Sequence, residues 1–186
     1  MVYPLGPLPQ TSQFGPILLA IKAKLLTDVL PNGDIVISKN VPATPAFLAG
    51  TQGIRIMCGG IRTTDNPGAG RYFKVVQRVV TVEVHTRITL DIAGEGEIVM
   101  TDPLFGHLYL EEAVVESLHE RNLVGVGGVN LLTEPMKLQL ENPDTRPVGT
   151  FSESEGFTSM SPPADDIISS QLFFLLTYGF AFKATV

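Results

Sequence analysis

The chain has a single cysteine, Cys58, in 186 residues, so neither an intrachain disulfide nor a multi-cysteine zinc site can form, a usage that fits a reducing compartment. Positive charge is also scarce. Thirteen Lys and Arg against 19 Asp and Glu leave a net charge of -6, which disfavours a protein that grips nucleic-acid phosphates by its overall field, though not a local basic patch. Long apolar runs are missing too. The longest, Leu172 to Phe182, is interrupted by Thr177 and Gly179 and falls short of the ~20 residues that cross a bilayer. The opening Met-Val-Tyr-Pro-Leu-Gly-Pro-Leu-Pro carries neither the basic nor the apolar region of a secretory signal, so no membrane partner is expected.

Catalytic signatures are equally thin. No Gly-x-Ser-x-Gly occurs, and Cys58 falls on the apolar parity of a short strand, where a buried structural thiol is a plainer reading than a nucleophile. Gly125-Val-Gly-Gly128 lacks the Lys-Ser/Thr of a phosphate loop and follows a helix instead of preceding one. His85, His107 and His119 are not spaced as a helical metal pair, and His85, on the polar side of a strand, is expected to be solvated. The acid pairs Glu111-Glu112 and Asp165-Asp166 have nothing in sequence to raise a carboxyl pKa. No catalytic residue, cofactor or metal site is therefore expected. The rival classes are a monomeric small-molecule-binding module and a hydrolase using His85 or His119 with a carboxylate.

What the sequence does have is one long strand pattern, from Arg71 to Ile92. In its second half Val80, Val82, Val84, Ile88, Leu90 and Ile92 share one parity with Thr86, while Thr81, Glu83, His85, Arg87, Thr89 and Asp91 share the other, the period-2 signature of a half-buried strand. In its first half Phe73, Val75 and Val79 oppose Tyr72, Val76 and Val80, so this part is either apolar on both faces or shifted by a bulge. At about 3.3 Å per residue the whole run would reach roughly 70 Å, so it must bend or project beyond the body. Gly53 to Cys58 alternates as a partner strand, joined to it through the turn-rich Gly59 to Gly70. Together they predict an extended hairpin over about 53–92.

The rest of the chain frames this hairpin. Phe14 to Leu30 reads as a helix with Ile17 or Leu18, Ile21, Leu25 and Val29 at helical spacing, and Asp34 to Lys39 as a short strand. A second helix is predicted from Asp102 as N-cap and Pro103 as first residue to about Glu120, its apolar stripe formed by Leu104, Leu108, Leu110, Val114, Val115 and Leu118. Glu111 falls within that stripe, either as a rim position or as a contact with a neighbouring subunit. Met136 to Leu140 reads as a strand, about 142–170 as a long loop rich in Pro, Ser, Gly and acid, and Gln171 to Lys183 as a strand central to a sheet. These elements predict a single α+β domain over 1–186, with a mixed or antiparallel sheet and a long β-hairpin packed against two helices.

Charge is unevenly placed. Arg55, Arg62, Arg71, Lys74, Arg78 and Arg87 put six of the 13 basic residues on the hairpin, while the second helix and the 142–170 loop hold much of the acid. Either the hairpin has an ordinary solvated face, or a basic zone of one copy docks on an acidic zone of another. In the docking reading the interface comprises Arg62, Arg71, Tyr72, Phe73, Lys74 and Arg78, facing Glu111, Glu112 and Glu116.

The order of elements, with Arg78-Val-Val-Thr-Val-Glu-Val-His-Thr-Arg-Ile88 and Asp102-Pro-Leu-Phe-Gly-His-Leu-Tyr-Leu-Glu-Glu-Ala-Val114, resembles the tail terminator and tail-completion proteins of tailed bacteriophages. The resemblance covers roughly residues 12–140. It implies an α+β subunit of a homo-oligomeric ring, a hexamer, that caps the tail tube protein, stops tube growth and presents a surface to the head-tail connector. It implies a virion protein of the tail or neck, assembled in the host cytoplasm; DNA that passes through such a ring is expected, from the acidic balance of the chain, not to be tightly bound. Another neck or tail-tube ring protein is the nearest alternative. The long 142–170 segment departs from the more compact members of that class.

Overall fold

A computed structural model describes residues 14–31, 33–38, 51–64, 73–87, 99–125, 128–139 and 167–181. The elements run α1 (Phe14–Asp28), β1 (Asp34–Ser38), β2 (Gln52–Thr64), β3 (Phe73–Arg87), α2 (His107–Leu118), β4 (Glu134–Gln139) and β5 (Ile167–Ala181). The strands form a five-stranded mixed sheet in the order β1-β2-β3-β5-β4. Only β1 and β2 are parallel, and the other three pairings are antiparallel. The fold is α+β, as the sequence predicts.

The alternating parity of β3 decides which face is covered by the helices. Val76, Val80, Val82 and Val84 join Ile54 and Ile56 of β2 and Leu172, Phe174, Leu176 and Tyr178 of β5 in one buried cluster with Ile17, Leu18, Ile21 and Leu25 of α1 and Leu110, Val114 and Leu118 of α2. Each such side chain contributes about 1.5–3 kcal/mol by leaving water. α1 stops at Asp28 because Pro31 cannot continue a helix, and the backbone N–H of Gly33 closes the turn on the Leu30 carbonyl at 3.0 Å.

Several features depart from the sequence reading. The long strand is not half of a free two-stranded hairpin. β3 pairs with β2 on one side, out to Thr64↔Val75, and with β5 on the other along its whole length, from Phe73↔Ala181 to Arg87↔Ile167. Both of its edges are therefore filled by its own chain, and the ends of β2, β3 and β5 near Thr64, Phe73 and Ala181 form a three-stranded arm. The residues 167–170, read as loop, belong to β5. Ile88 to Ile92 lie outside the described residues, as does most of the 142–170 segment.

The bulge also sits elsewhere. β3 keeps continuous register with β5, whereas β2 steps from Cys58↔Val80 to Ile61↔Arg78, so Gly59 and Gly60 together oppose Val79. Val76 and Val79 are both buried, so the first half of β3 is apolar on two faces. The Gly59-Gly60 pair, read as the start of a turn, is strand that passes through this bulge and continues to Thr64.

α2 begins later than predicted. Asp102 does accept from the backbone, with Oδ1 taking the N–H groups of Leu104 and Phe105 at 2.8 Å each, but 103–105 form a turn and the helix starts at His107 with Gly106 at its N-cap. These two bonds hold the Asp102 carboxyl below the usual aspartate range. Gly106 is required there because a Cβ would lie 2.4 Å from the Asp102 carbonyl oxygen and 2.9 Å from that of Met100. The later start turns Leu104 and Leu108 out of the predicted apolar stripe. Leu104 is 63% exposed, and His107, Glu111 and Ser117 are buried beside Leu110, Val114 and Leu118.

Candidate assembly interface

The face of the sheet opposite the helices carries a buried polar row, set by strand register. Arg55 of β2, Glu83 of β3 and Gln171 of β5 stand directly across from one another, and the next rung pairs His85 with Ser169. The Arg55 guanidinium donates to Glu83 Oε2 at 2.9 Å, and the Gln171 amide donates to Oε1 at 3.2 Å. His85 Nε2 lies 3.1 Å from Glu83 Oε2, with Nδ1 2.8 Å from the Ser169 hydroxyl. Burial pushes the Glu83 carboxyl up, but the hydrogen bonds of His85 and Gln171 and the charges of His85 and Arg55 outweigh it, so its pKa lies below the ordinary value. His85 is 3% exposed, so the expectation of a solvated histidine is corrected.

A serine, a histidine and a carboxylate in sequence resemble a nucleophile relay, and this is where a hydrolase would have to be built. The charge balance argues otherwise. The Glu83 carboxylate is already engaged by the Arg55 guanidinium and the Gln171 amide as well as by His85. With Arg55 and Glu83 both buried, the row acts as a cross-strand clamp between β2, β3 and β5.

On the helix side of the same sheet end, His107 is fully buried. Its Nδ1 lies 2.9 Å from the Thr86 hydroxyl and its Nε2 3.0 Å from the Ser170 hydroxyl, fastening the first turn of α2 to β3 and β5. Glu111, one turn on, lies 3.2 Å from His107 Nε2 and is buried. It is therefore not at a rim, and the contact it makes is with its own helix. The far end of α2 is fastened by the Leu138 N–H, which donates to His119 Nδ1 at 3.1 Å. Beyond it, Gly128 takes a φ of 78° in the turn bracketed by the Val124 and Asn130 bridge, a conformation that suits glycine.

The other predicted interface residues divide between α2 and the strands. Glu112 and Glu116 are exposed on α2, lining a cleft of about 410 Å³ between the helices together with Lys24, Asp28, Tyr109, Ala113, Ser117 and Arg121. In that cleft Asp28 accepts from Lys24 at 2.6 Å and from Ser117 at 3.0 Å. The Lys24 bond, against an opposing contribution from burial, holds its carboxyl low. Arg62 pairs with Gln77 in the arm, Phe73 with Ala181 and Lys74 with Phe180. Arg71 and Tyr72 lie outside the described residues. Arg78 is engaged within its own subunit, its guanidinium 3.9 Å over the Phe14 ring and its Nε donating to the Gly59 carbonyl at 3.2 Å.

Sequence reasoning missed two things here. The Arg55–Glu83 pair was visible as opposite charges on neighbouring strands, but only the register makes them partners. The exposed pair Leu104 and Phe105, at 63% and 74%, was hidden by starting the helix at Pro103; Gly106 was the available signal of a later start.

No protein-family model and no curated protein matches the chain. Among solved structures, it is similar to a chain of the sheath/tube terminator of an extracellular contractile injection system in its extended state, at 14% identity and a TM-score of 0.51, over 94% of this chain and 58% of that one. It also matches a chain of the virion of a native gene transfer agent particle at 15% identity and a TM-score of 0.48, over 91% of this chain and 99% of that one. At these identities the likeness is one of fold.

Proposed function

We propose that this chain is a structural subunit of a bacteriophage-like tail, a terminator that assembles with its own copies into a ring on the end of the tail tube. The observation that carries the reading is the fold held in common with the sheath/tube terminator over 94% of this chain. The Arg78–Ile88 and Asp102–Val114 segments, which resemble phage terminators, support it independently of the fold. The ring has six subunits by that resemblance, stops tube growth and meets the head-side connector, acting by shape and edge complementarity with no covalent step. Its place is the virion, after assembly in the host cytoplasm.

Physical features of the arm suit this role. β1 pairs only with Gly53–Met57 of β2, so among the described residues the far half of β2, Cys58–Thr64, has no strand on its outer side. Monomers avoid such open edges because they invite uncontrolled pairing, and a neighbouring subunit is the simplest cover. A contact between two different surfaces of identical subunits closes into a ring when the rotation permits. Light scattering of the purified protein, alone and on tail tubes, should return a mass several times that of the 20.1 kDa chain; a monomer under both conditions contradicts the reading.

The acidic balance gives a second expectation. Duplex DNA should slide through a like-charged lumen, so anisotropy titrations should detect no tight binding at physiological salt. Tight, steeply salt-dependent binding would require clustered phosphate neutralisation and would contradict this part of the account.

A further inference from the structure

The arm joins the body of the sheet at an irregular rung. β3 and β5 pass through it in continuous register, while β2 carries the Gly59-Gly60 bulge opposite Val79. A bulge bends its own strand and sharpens the local twist. On one side of it the sheet is held by both helices and by the row of Arg55, Glu83 and Gln171. On the other side, residues 61–64 of β2 pair only with β3 among the described residues. One side chain spans this joint. Arg78 is the first β3 residue past the bulge, half-buried and at the same parity as Val76 and Val80. Its Nε donates to the Gly59 carbonyl, within the bulge itself, at 3.2 Å, and its guanidinium lies 3.9 Å over the Phe14 ring. Phe14 opens α1 and stacks on Tyr178 of β5, the ring centroids 5.9 Å apart and the planes 20° from parallel. The bulge, the first turn of α1 and both through-running strands therefore meet at one guanidinium–ring–ring stack. Among the described residues no carboxylate pairs with Arg78, so a hydrogen bond and a cation–π contact hold it, and both can open without stranding a buried counter-charge.

We propose that this stack is a latch. Closed, it fixes the angle between the arm and the body; released, it lets the arm bend and twist at the Gly59-Gly60 bulge while the body stays folded. Its consequence for assembly rests on the ring reading. The open edge of β2 lies on the arm, and a head-to-tail contact closes into a ring only when the two surfaces of one subunit stand at a fixed angle. An edge held at that angle beforehand loses less freedom when a neighbour docks on it.

Arg78→Met tests the latch, since methionine keeps an apolar stem and removes the guanidinium. In native-state hydrogen exchange of the full chain, the amides of 61–64 and 75–77 should exchange about tenfold faster than in the unmodified protein, the size expected for losing a charged hydrogen bond and a cation–π contact. Those of 82–84 and 172–174, on the body side of the bulge, should be unchanged. Unaltered exchange in the arm, or equal acceleration on both sides of the bulge, would overturn the latch. Deleting Gly60 in the same background puts 61–64 into unbroken register with β3 and should return the arm to its original exchange; an arm that stays fast without the bulge rules out the hinge. Self-association of Arg78→Met by light scattering should weaken by about tenfold. A loosened arm with undiminished assembly would refute the latch's part in the ring and leave the ring standing. An unmodified protein that is monomeric alone and on tubes would instead refute the ring, with the exchange contrast across the bulge still in place.

Discussion

Val82→Asp should leave no folded protein. Val82 is fully buried, in register with Ile56 on one side and Leu172 on the other, in the middle of the sheet face that meets both helices. An aspartate there either ionises with no partner or takes up a proton and still needs a hydrogen bond, and the strand's own backbone groups are already paired. The cost is several kcal/mol, compared with the ~5–15 kcal/mol total stability of an ordinary domain. Insoluble expression, or a soluble product without a cooperative thermal transition, is the expected result. A soluble variant with an unchanged thermal midpoint would mean that this parity does not face the core.

Glu83→Ala should be the next most damaging single change, although sequence alone made Glu83 a solvent-facing residue. Removing the carboxylate breaks the buried Arg55–Glu83 ion pair, whose guanidinium is 1% exposed, a loss of about 3–5 kcal/mol. For a chain of this size that lowers the midpoint by roughly 6–20 °C. The double change Arg55→Met with Glu83→Leu should recover most of it, because apolar replacements of similar volume carry no stranded charge. The same carboxylate gives a pH signature. Its folded pKa lies below the ordinary 4.5, so its contribution is complete above about 4.5 and is lost as pH falls below that through the folded value. In Glu83→Ala that acid-dependent component should be missing from the stability profile. A midpoint unmoved by Glu83→Ala would remove the clamp from the account.

How far the sequence could be read follows from which signals are local. Val80, Val82 and Val84 announce their face because parity is a property of one strand, and the helix over Phe14–Asp28 announces itself through Ile17, Ile21 and Leu25. The partners of β3 do not. That β5 fills its second edge depends on a strand some 90 residues further on, and Gln171 gives no local sign that it will meet Glu83. The buried row on the second sheet face was illegible for the same reason: Arg55, Glu83 and His85 are polar at polar parity, and the pairing across strands that helps make their burial tolerable is not a local property. At the candidate interface, the exposure of Glu112 and Glu116 followed from helical spacing. Spacing also put Glu111 on the apolar stripe, though not beside His107, whereas the outward turn of Leu104 did not follow, since it hinges on a helix start displaced to His107 by the Asp102 turn and by Gly106.

The central claim is that this protein caps a tail tube, and imaging tests it most directly. Tail tubes assembled from their purified tube protein, with and without this protein, should be examined by negative-stain electron microscopy. The account predicts rings seated at one end of each tube, and tubes that stop growing once a ring is present. Bare tube ends and unchanged growth in the presence of excess protein would contradict it.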